Sequence, residues 1–259
     1  MQGSVGYNLA FAAAVCLVCA VVVSSSAVAL ADRQDRNAAL DKQQNVLLAA
    51  GLATDDEKLT ADEVAARFAP MTQVVVELGS GAVVDDVDPA VFDQRAAASD
   101  PTRSRVAPEN LARVVRLPDA ALVYEVRDAS DHLELVVLPV EGLGLWGTLY
   151  GFLALEGDLR TIRGLTFYEH KETPGLGGEV DNPRWKALWT GRLAFDETLT
   201  PVIAVVKGRA GPLADDPYAV DGLSGATITS RGVTNLLQFW LGPEGFEPYL
   251  TRLRAEAGG

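Results

Sequence analysis

The sequence predicts an α+β fold, in which one membrane-spanning helix precedes a soluble domain with a mainly antiparallel sheet and flanking helices. Three observations support this prediction: an uncharged apolar run near the amino terminus, strand-like segments joined by short polar turns, and an amphipathic helix pattern near the carboxyl terminus. The predicted divisions are a tail at residues 1–8, the spanning helix at 9–31, a helical connector at 32–55 and the soluble domain at 56–259.

The composition excludes several classes of protein. A chain of 259 residues with 48% hydrophobic and 22% charged residues is typical of a folded protein, and it is long enough to bury a core without disulfides or metals. Its 35 acidic residues against 22 Lys and Arg give a formal net charge of −13. Because this charge repels phosphate backbones, the sequence predicts no nucleic-acid binding.

The apolar run extends from Leu9 to Ala31 and contains no charged side chain. A helix rises about 1.5 Å per residue, so a run of this length crosses a hydrocarbon core of about 30 Å. A cleaved secretory signal is the alternative, because Ala29-Leu30-Ala31 ahead of Asp32 resembles a small-residue cleavage site. The run is long for a signal core and no Lys or Arg precedes it, so the sequence favours a spanning helix.

The charges that flank the apolar run leave its orientation open. Arg33, Arg36 and Lys42 follow the run, and nothing basic but the terminal amine precedes it. Taken alone, the positive-inside tendency favours a cytoplasmic carboxyl-terminal side. Long domains, however, are translocated largely regardless of flanking charge. The sequence therefore does not decide the topology.

Both cysteines, Cys16 and Cys19, lie within the apolar run and would share one helical face. A redox or metal-bridging pair would need two further ligands from a partner subunit, and packing inside an apolar helix is the favoured interpretation. The histidines, His132 and His170, are isolated. We therefore predict no metal site, and any redox carrier in the soluble domain must be organic, because thiolate-bound zinc, iron–sulfur clusters and c-type haem all need cysteines.

After the apolar run, the sequence predicts helices first and strands next. Residues 32–52 are predicted to be helical, with Gly51 as the stop signal. A second amphipathic helix is predicted in the segment from Asp55 to Phe68, with Thr60 and Asp62 as its start signals. Strands are predicted at Thr72–Leu78, Leu122–Val126 and Leu133–Val140, the last two joined by the polar turn at residues 128–131.

The stretch from Asp85 to Asn110 is rich in Asp, Ala and Pro. This composition is typical of a solvated loop with short turns. Its acidity is interpreted as a soluble face rather than a cation site.

Two glycine-rich segments lie in the second half of the chain. In residues 142–155, GLGLWGTLYGFLAL, glycines are interleaved with Trp146, Tyr150 and Phe152. Such glycines let either a flat ligand or another strand approach the backbone, so a binding loop and a tightly packed hairpin both remain open. The second segment, Glu172 to Gly177, is a turn-rich loop after a strand that ends near Tyr168, and its glycines expose backbone N–H groups.

The segment from Asp221 to Thr227, DGLSGAT, precedes an amphipathic helix that is predicted to begin near Ser230. Unpaired N–H groups and the positive end of the helix dipole favour a phosphate at this position. Arg231 in the first turn adds a possible charge partner. An ordinary helix-capping turn is the alternative, since Thr and Ser are common caps.

The string DGLSGAT resembles the motif D-G-x-[S/T]-G-A-T of FMN-binding domains at all seven positions. In those domains a flavin transferase esterifies the final threonine with FMN derived from FAD. Nearly the whole chain is also similar to the C subunits of Na+-translocating NADH:quinone oxidoreductases. This similarity rests on the apolar span with CLVC and on the strings LDKQQNVL, GLGLWGTLYGFLAL, HKETPGLGGEV and TSRGVTNLLQFWLGPEGFEPYLTRLR.

The resemblance implies a set of cofactor-binding residues and no catalytic residue. Thr227 would carry FMN as a phosphoester, with Thr229 as the obvious decoy. The recognition motif would consist of Asp221, Gly222, Ser224, Gly225 and Ala226. The flavin ring would contact Trp146, Gly147, Glu172, Thr173, Leu176 and Gly177, with Lys207 as a further polar candidate. These contacts would tune the redox potential of the flavin.

The resemblance also implies a function within a complex. Because no GxGxxG follows a strand at the start of a βαβ unit, the chain offers no evident NADH site and no complete active site. Its FMN would relay single electrons between cofactors of neighbouring subunits of B, D, E and F type, in a translocase that couples electron flow from NADH to ubiquinone to Na+ transport. The flavin domain would lie on the periplasmic side of a bacterial inner membrane.

Two alternatives to this function remain open. The related G subunit of Rnf-type complexes shares the threonine motif but is usually shorter. A membrane-anchored assembly subunit without redox activity, in which residues 224–227 only cap a helix, is the alternative from a different class.

Overall fold

The computed structural model describes residues 5–257, and the chain forms two compact units, Met1–Lys42 and Gln43–Gly259. Helix α1 runs from Val5 to Ala49. Residues 1–4 of the predicted tail lie outside the described residues, whereas residues 5–8 are helical, because nothing in them breaks the helix. The segment Val5–Ala31 is long and apolar enough to cross a membrane by length and composition.

Helix α1 ends two residues before Gly51, which the sequence predicts as the stop. Gly51 has a φ of +66°, a conformation that favours glycine at the end of a helix. The N–H of Leu52 donates to the carbonyl of Leu47 over 2.9 Å, which pairs one of the last carbonyls of the helix. Val46 and Leu47, near this end, are fully buried within the second unit.

The second unit is built on one five-stranded antiparallel sheet of order β1-β4-β5-β6-β7. These strands are β1 Thr72–Glu77, β4 Ala120–Arg127, β5 Leu133–Leu143, β6 Thr148–Glu156 and β7 Ile162–Glu169. Two small pairs complete the strands, antiparallel β2 Ser104–Val106 with β3 Arg116–Pro118, and parallel β8 Ala204–Val205 with β9 Ala219–Val220. The α+β class and the mainly antiparallel sheet are therefore confirmed.

Helices cover the sheet. The helices are α2 Ala61–Phe68, α3 Gln94–Ser99, α4 Pro183–Lys186, α5 Thr227–Trp240 and α6 Glu247–Ala257, with 3-10 turns at Gly177–Asp181 and Ala187–Trp189. On one face, α5 packs against β5. A Cβ added at Gly142 would lie 2.5 Å from Cβ of Leu236, and Nε1 of Trp240 donates a hydrogen bond to the carbonyl of Glu141 over 2.7 Å. On the other face, Phe68 of α2 packs edge-on against Tyr124 of β4.

The region from Asp85 to Asn110 is more ordered than its composition predicts, because it contains α3 and β2. Asp93 caps α3, since its carboxylate accepts hydrogen bonds from the backbone N–H groups of Arg95 and Ala96. Arg95 then pairs with Glu169 on β7, at 2.5 Å. The prediction of a solvated loop with short turns misses α3 and β2, because a helix of six residues and a strand of three are too short to show a period.

Candidate functional site

The first residues of the DGLSGAT segment fasten it to the turn at residues 206–210. The carboxylate of Asp221 accepts a hydrogen bond from the N–H of Ala210 over 2.9 Å, and the N–H of Gly222 donates to the carbonyl of Gly208 over 2.8 Å. A Cβ at Gly222 would lie 2.3 Å from the carbonyl oxygen of Val206. This position therefore requires glycine, because only glycine lets two backbones approach so closely.

The next residues form a tight turn that leads into α5. The N–H of Ala226 donates to the carbonyl of Leu223 over 3.1 Å, and Gly225 within the turn has a φ of +71°. Leu223 is buried in the core, and its N–H donates to Oγ of Ser230 over 3.1 Å. Ser224 and Gly225 remain exposed at the tip of the turn.

Helix α5 begins at Thr227, three residues before the predicted start at Ser230, because the turn at Ala226 already directs the chain into the helix. The N-cap residue is Ala226, and within the part of the chain that the structure describes no side chain caps this end. The N–H groups of the first turn are therefore available to an anion, which the helix dipole also attracts. Thr227 is exposed at this end, next to exposed Ile228.

Thr229, the predicted decoy, has a different environment. Its side chain is fully buried, and its hydroxyl donates a hydrogen bond to the carboxylate of Glu172. Thr227 and Thr229 are thus distinguished by the fold itself: one hydroxyl faces solvent and the other is enclosed.

A cavity of about 250 Å³ lies beside Thr227. The first turns of α5 contribute Thr227, Ser230, Arg231 and Thr234, and the remaining lining comes from residues 204–208 and from Gly222 and Leu223. Lys207 and Arg231 are both exposed and bring two positive charges to this cavity. The structure therefore places the sequence candidate Lys207 next to Thr227, in a position suited to an anionic group.

Glu172 joins two parts of the site that are distant in sequence. Its carboxylate is buried, with 5% of the residue exposed, and accepts hydrogen bonds from the N–H groups of Leu145 and Trp146, both over 2.9 Å. The other carboxylate oxygen accepts the hydroxyl of Thr229. Glu172 thus ties the tip of the β5–β6 hairpin to the first turn of α5, a role that the sequence did not predict. Its contact with a flavin stays a prediction.

The glycines of the two glycine-rich segments make room for this carboxylate. A Cβ at Gly144 would lie 2.6 Å from Oε1 of Glu172, and a Cβ at Gly177 would lie 2.3 Å from Oε2. Gly177 also faces Oγ1 of Thr229 at 2.6 Å. The sequence predicted a close approach at Gly144, by a flat ligand or another strand, and the structure places the side chain of Glu172 there and at Gly177.

Exposed apolar side chains lie on three segments that meet at the amino end of α5. The exposed fractions are 65% for Trp146, 44% for Leu176 and 54% for Ile228. Leu176 reaches the DGLSGAT turn, since its Cδ2 lies 3.0 Å from the position that a Cβ at Gly225 would take. Because exposed large apolar side chains on neighbouring segments often mark a ligand site, this arrangement favours a flat apolar ligand.

The remaining predicted contacts lie at the edge of this region. Gly147 packs on the side chain of Lys171, since a Cβ added at Gly147 would lie 3.3 Å from Cβ of Lys171. Thr173 is exposed, and its carbonyl accepts hydrogen bonds from the N–H groups of Leu176 and Gly178. Thr173 therefore shapes the loop through its backbone, which leaves its side chain facing solvent.

His170 supports Glu172 from the other side. Nδ1 of His170 accepts the N–H of Glu172 over 3.2 Å, so Nε2 carries the proton and donates to the carboxylate of Asp181 over 2.7 Å. No sequence pattern predicts this role, because an isolated histidine has no local signature.

Replacing Gly222 by alanine should destabilise the site. The added Cβ would meet the carbonyl oxygen of Val206 at 2.3 Å, so the 206–210 turn must shift, at a cost of about 1–3 kcal/mol in the free energy of unfolding. Thermal unfolding followed by circular dichroism measures this loss. Gly79→Ala is the matched control, because no atom lies within 4 Å of its Cβ position. Equal stabilities of the two variants would contradict the close approach.

Among the side chains that the structure describes, in residues 5–256 apart from 32 and 35, no group of three or more His, Cys, Asp or Glu could hold a metal ion. Cys16 and Cys19 are free thiols, both exposed on α1.

The chain is similar to proteins of known class. Residues 144–242 match the model of the FMN-binding domain family. The C subunit of the Na+-translocating NADH-quinone reductase of Pseudomonas aeruginosa is 47% identical to this chain over 98% of it and 97% of that protein. The same-named subunit of Yersinia pestis is 43% identical, over 98% of this chain and 95% of that protein.

Solved structures agree with these relatives. The crystal structure of NqrC from Shewanella oneidensis gives a TM-score of 0.75 at 38% identity, covering 83% of this chain and 97% of that one. The C subunit of the Na+-translocating NADH-quinone reductase from Parabacteroides distasonis gives a TM-score of 0.66 at 26% identity, covering 86% and 97%. Near-complete coverage at such identity shows common descent, and the chain therefore belongs to the family of the C subunits of Na+-translocating NADH-quinone reductases.

Proposed function

We propose that this chain is the electron-transfer subunit of a Na+-translocating NADH-quinone reductase and carries FMN as a phosphoester on Thr227. The observation that carries the proposal is the exposed hydroxyl of Thr227 at the uncapped amino end of α5. This hydroxyl closes the segment DGLSGAT, which resembles the flavinylation motif at every position. Membership of the family makes FMN the group expected there.

The residues around Thr227 fit the phosphate of FMN. The first-turn N–H groups of α5 have no side-chain cap among the described residues, and the positive end of the helix dipole favours an anion. Lys207 and Arg231 line the same cavity as Thr227 and would balance the remaining negative charge of a phosphodiester. The free N–H groups, the helix dipole and the two cations that would hold a phosphate therefore lie together at the amino end of α5.

The fold also supports modification of Thr227 rather than its neighbours. Thr229 is fully buried and bonded to Glu172, and Ser230 is buried with its Oγ accepting the N–H of Leu223. A transferase acting on the folded chain would meet the hydroxyls of Thr227 and Ser224. Of these two, Thr227 alone stands at the helix end, where the dipole and the two cations act.

The exposed apolar side chains beside Thr227 fit the isoalloxazine ring. Trp146, Leu176 and Ile228 offer apolar surface for stacking, and the hairpin tip that bears Trp146 is held in place by Glu172. When bound, FMN would supply one-electron redox chemistry. The residues of this chain would orient the ring, exclude water from one side of it and set its potential through nearby charge.

The rest of the reaction would belong to partner subunits. The GxGxxG string of this sequence, Gly142 to Gly147, joins the antiparallel strands β5 and β6 and opens no helix, so it is not a dinucleotide-binding turn. NADH oxidation and quinone reduction would therefore take place on subunits of B, D, E and F type. The Val5–Ala31 segment of α1 would anchor the chain in the bacterial inner membrane, with the flavin domain on the periplasmic side. A flavin transferase would act on the chain during maturation.

Coexpression of the full-length chain with a flavin transferase tests this function. The purified protein should be yellow, and its band in a denaturing gel should fluoresce, because a phosphoester survives denaturation. The same chain expressed without the transferase is the control and should give a dark band. A colourless protein with a dark band in both cases would overturn the proposal and favour an assembly subunit without redox activity.

A further inference from the structure

A second cavity, of about 370 Å³, lies on the face of the β5–β6 hairpin that points away from α5. Its floor follows from the strand register, in which Glu141 pairs with Tyr150 and Leu143 pairs with Thr148. These four side chains share one face of the hairpin, because side chains alternate along a strand. Gly142, between two of them, faces α5 instead.

Two other segments form the walls of this cavity. Helix α3 contributes Arg95, Ala98 and Ser99, which are spaced to lie on one side of a helix. The segment from Arg113 to Arg116 closes the opposite side. Three arginines, one from α3 and two from the Arg113–Arg116 segment, thus line one cavity, in a chain with a net charge of −13.

Two of these arginines are fixed in place by the protein. Arg95 pairs with Glu169 at 2.5 Å, and its guanidinium lies 3.9 Å above the centre of the Tyr150 ring. Arg116 donates from Nε to Oγ of Ser104 over 2.9 Å and from a terminal nitrogen to the Ser104 carbonyl over 2.7 Å. Their positions are therefore set before a ligand arrives, which reduces the entropy cost of binding.

The third arginine, Arg113, has no acidic partner among the described residues and is exposed. Its φ is +58°, which is uncommon for a residue other than glycine. Asn110 holds this conformation, because its side chain accepts the N–H of Val114 over 3.0 Å and donates to the Val114 carbonyl over 2.9 Å. The fold thus maintains an unfavourable backbone conformation at an unpaired cation of the cavity wall.

The acidic residues cancel only part of this positive charge. Among the described residues, Glu141 is the one carboxylate in the cavity lining, and burial raises its pKa while Arg95 opposes that change. Glu169 is engaged by Arg95. Positive charge therefore remains in a concave site whose floor also offers the ring of Tyr150 and the hydroxyl of Thr148.

We propose that this cavity binds a phosphate group, held by Arg113 together with Arg95 and Arg116. Guanidinium groups match the oxygens of a phosphate through paired, charge-assisted hydrogen bonds. The same chemistry is offered by free phosphate and by the phosphodiester of a lipid headgroup. This site is separate from the cavity beside Thr227 and does not depend on the attachment of FMN.

Isothermal titration of the flavin-loaded, full-length protein in detergent tests the proposal. The probes are inorganic phosphate and dihexanoyl-phosphatidylglycerol below its micelle concentration, both at constant ionic strength. We expect one site per chain, with affinity reduced about tenfold or more in Arg113→Gln, because a charge-assisted hydrogen bond is lost. Arg113→Lys keeps the charge and should lose less affinity. Tighter binding of the lipid analogue would identify a headgroup, and binding of phosphate alone would identify the free anion.

Two controls separate this site from other cations. Arg184→Gln and Lys58→Gln each remove an exposed cation elsewhere in the chain. Both variants should bind the probes like the unmodified sequence. Absence of saturable binding to either probe would overturn the proposal, as would equal affinities of Arg113→Gln and Arg184→Gln. Circular dichroism of each variant verifies that it is folded.

Discussion

Replacing Thr227 by valine is expected to abolish covalent flavin attachment. Valine keeps the shape of threonine but lacks the hydroxyl that would be esterified. Because Thr227 is exposed, the substitution breaks no buried contact and the fold should be retained. After coexpression with a flavin transferase, in-gel fluorescence should fall to background, and the intact mass should equal that of the unmodified polypeptide.

A matched variant separates loss of the acceptor from a general defect. Thr251→Val changes another exposed threonine, on α6, and should retain full fluorescence. A fluorescent Thr227→Val protein would show that another hydroxyl accepts the flavin, and the proposed role of Thr227 would then be wrong.

Glu172→Ala is expected to cause the largest loss of stability among the site variants. Its buried carboxylate accepts two part-buried backbone N–H groups and the buried hydroxyl of Thr229. A hydrogen bond to a charged group contributes about 1.5–3 kcal/mol, so the loss of three should lower the free energy of unfolding by about 3 kcal/mol or more. Chemical denaturation followed by tryptophan fluorescence measures this change.

Glu179→Ala is the matched control for Glu172→Ala. Glu179 lies in the neighbouring 3-10 turn, is half-buried and accepts one side-chain hydrogen bond, from Asn182. Its loss should cost about 1 kcal/mol. If Glu172→Ala were no less stable than Glu179→Ala, Glu172 would not be the link between the hairpin tip and α5. Loss of that link should also free the Thr229 hydroxyl.

The strands were predictable because their signals are local. Strands β4 and β5 carry β-branched and apolar residues on both sides of the polar turn at residues 128–131, and both were expected within a few positions. Helix α3 was not predicted, since six residues contain too few turns to show a helical period. Its contacts are with distant residues, among them the pairing of Arg95 with Glu169, which lies 74 residues away in the sequence.

The same distinction applies to the site. A seven-residue motif identifies Thr227 as the candidate acceptor, and the structure places it at the end of α5. The role of Glu172 could not be predicted, because its partners lie 26 to 57 residues away in the sequence. The cavity lined by three arginines draws on α3, the Arg113–Arg116 segment and the hairpin, so no single stretch of sequence indicates it.

Peptide mapping of the flavin tests the central claim most directly. Trypsin cleaves after Arg209 and Arg231, so one peptide, residues 210–231, contains Ser224, Thr227, Thr229 and Ser230 together. Tandem mass spectrometry of this peptide from the flavin-loaded protein should place the mass of FMN less one water on Thr227. Attachment to any of the other three hydroxyls, or recovery of the peptide wholly unmodified, would contradict the claim.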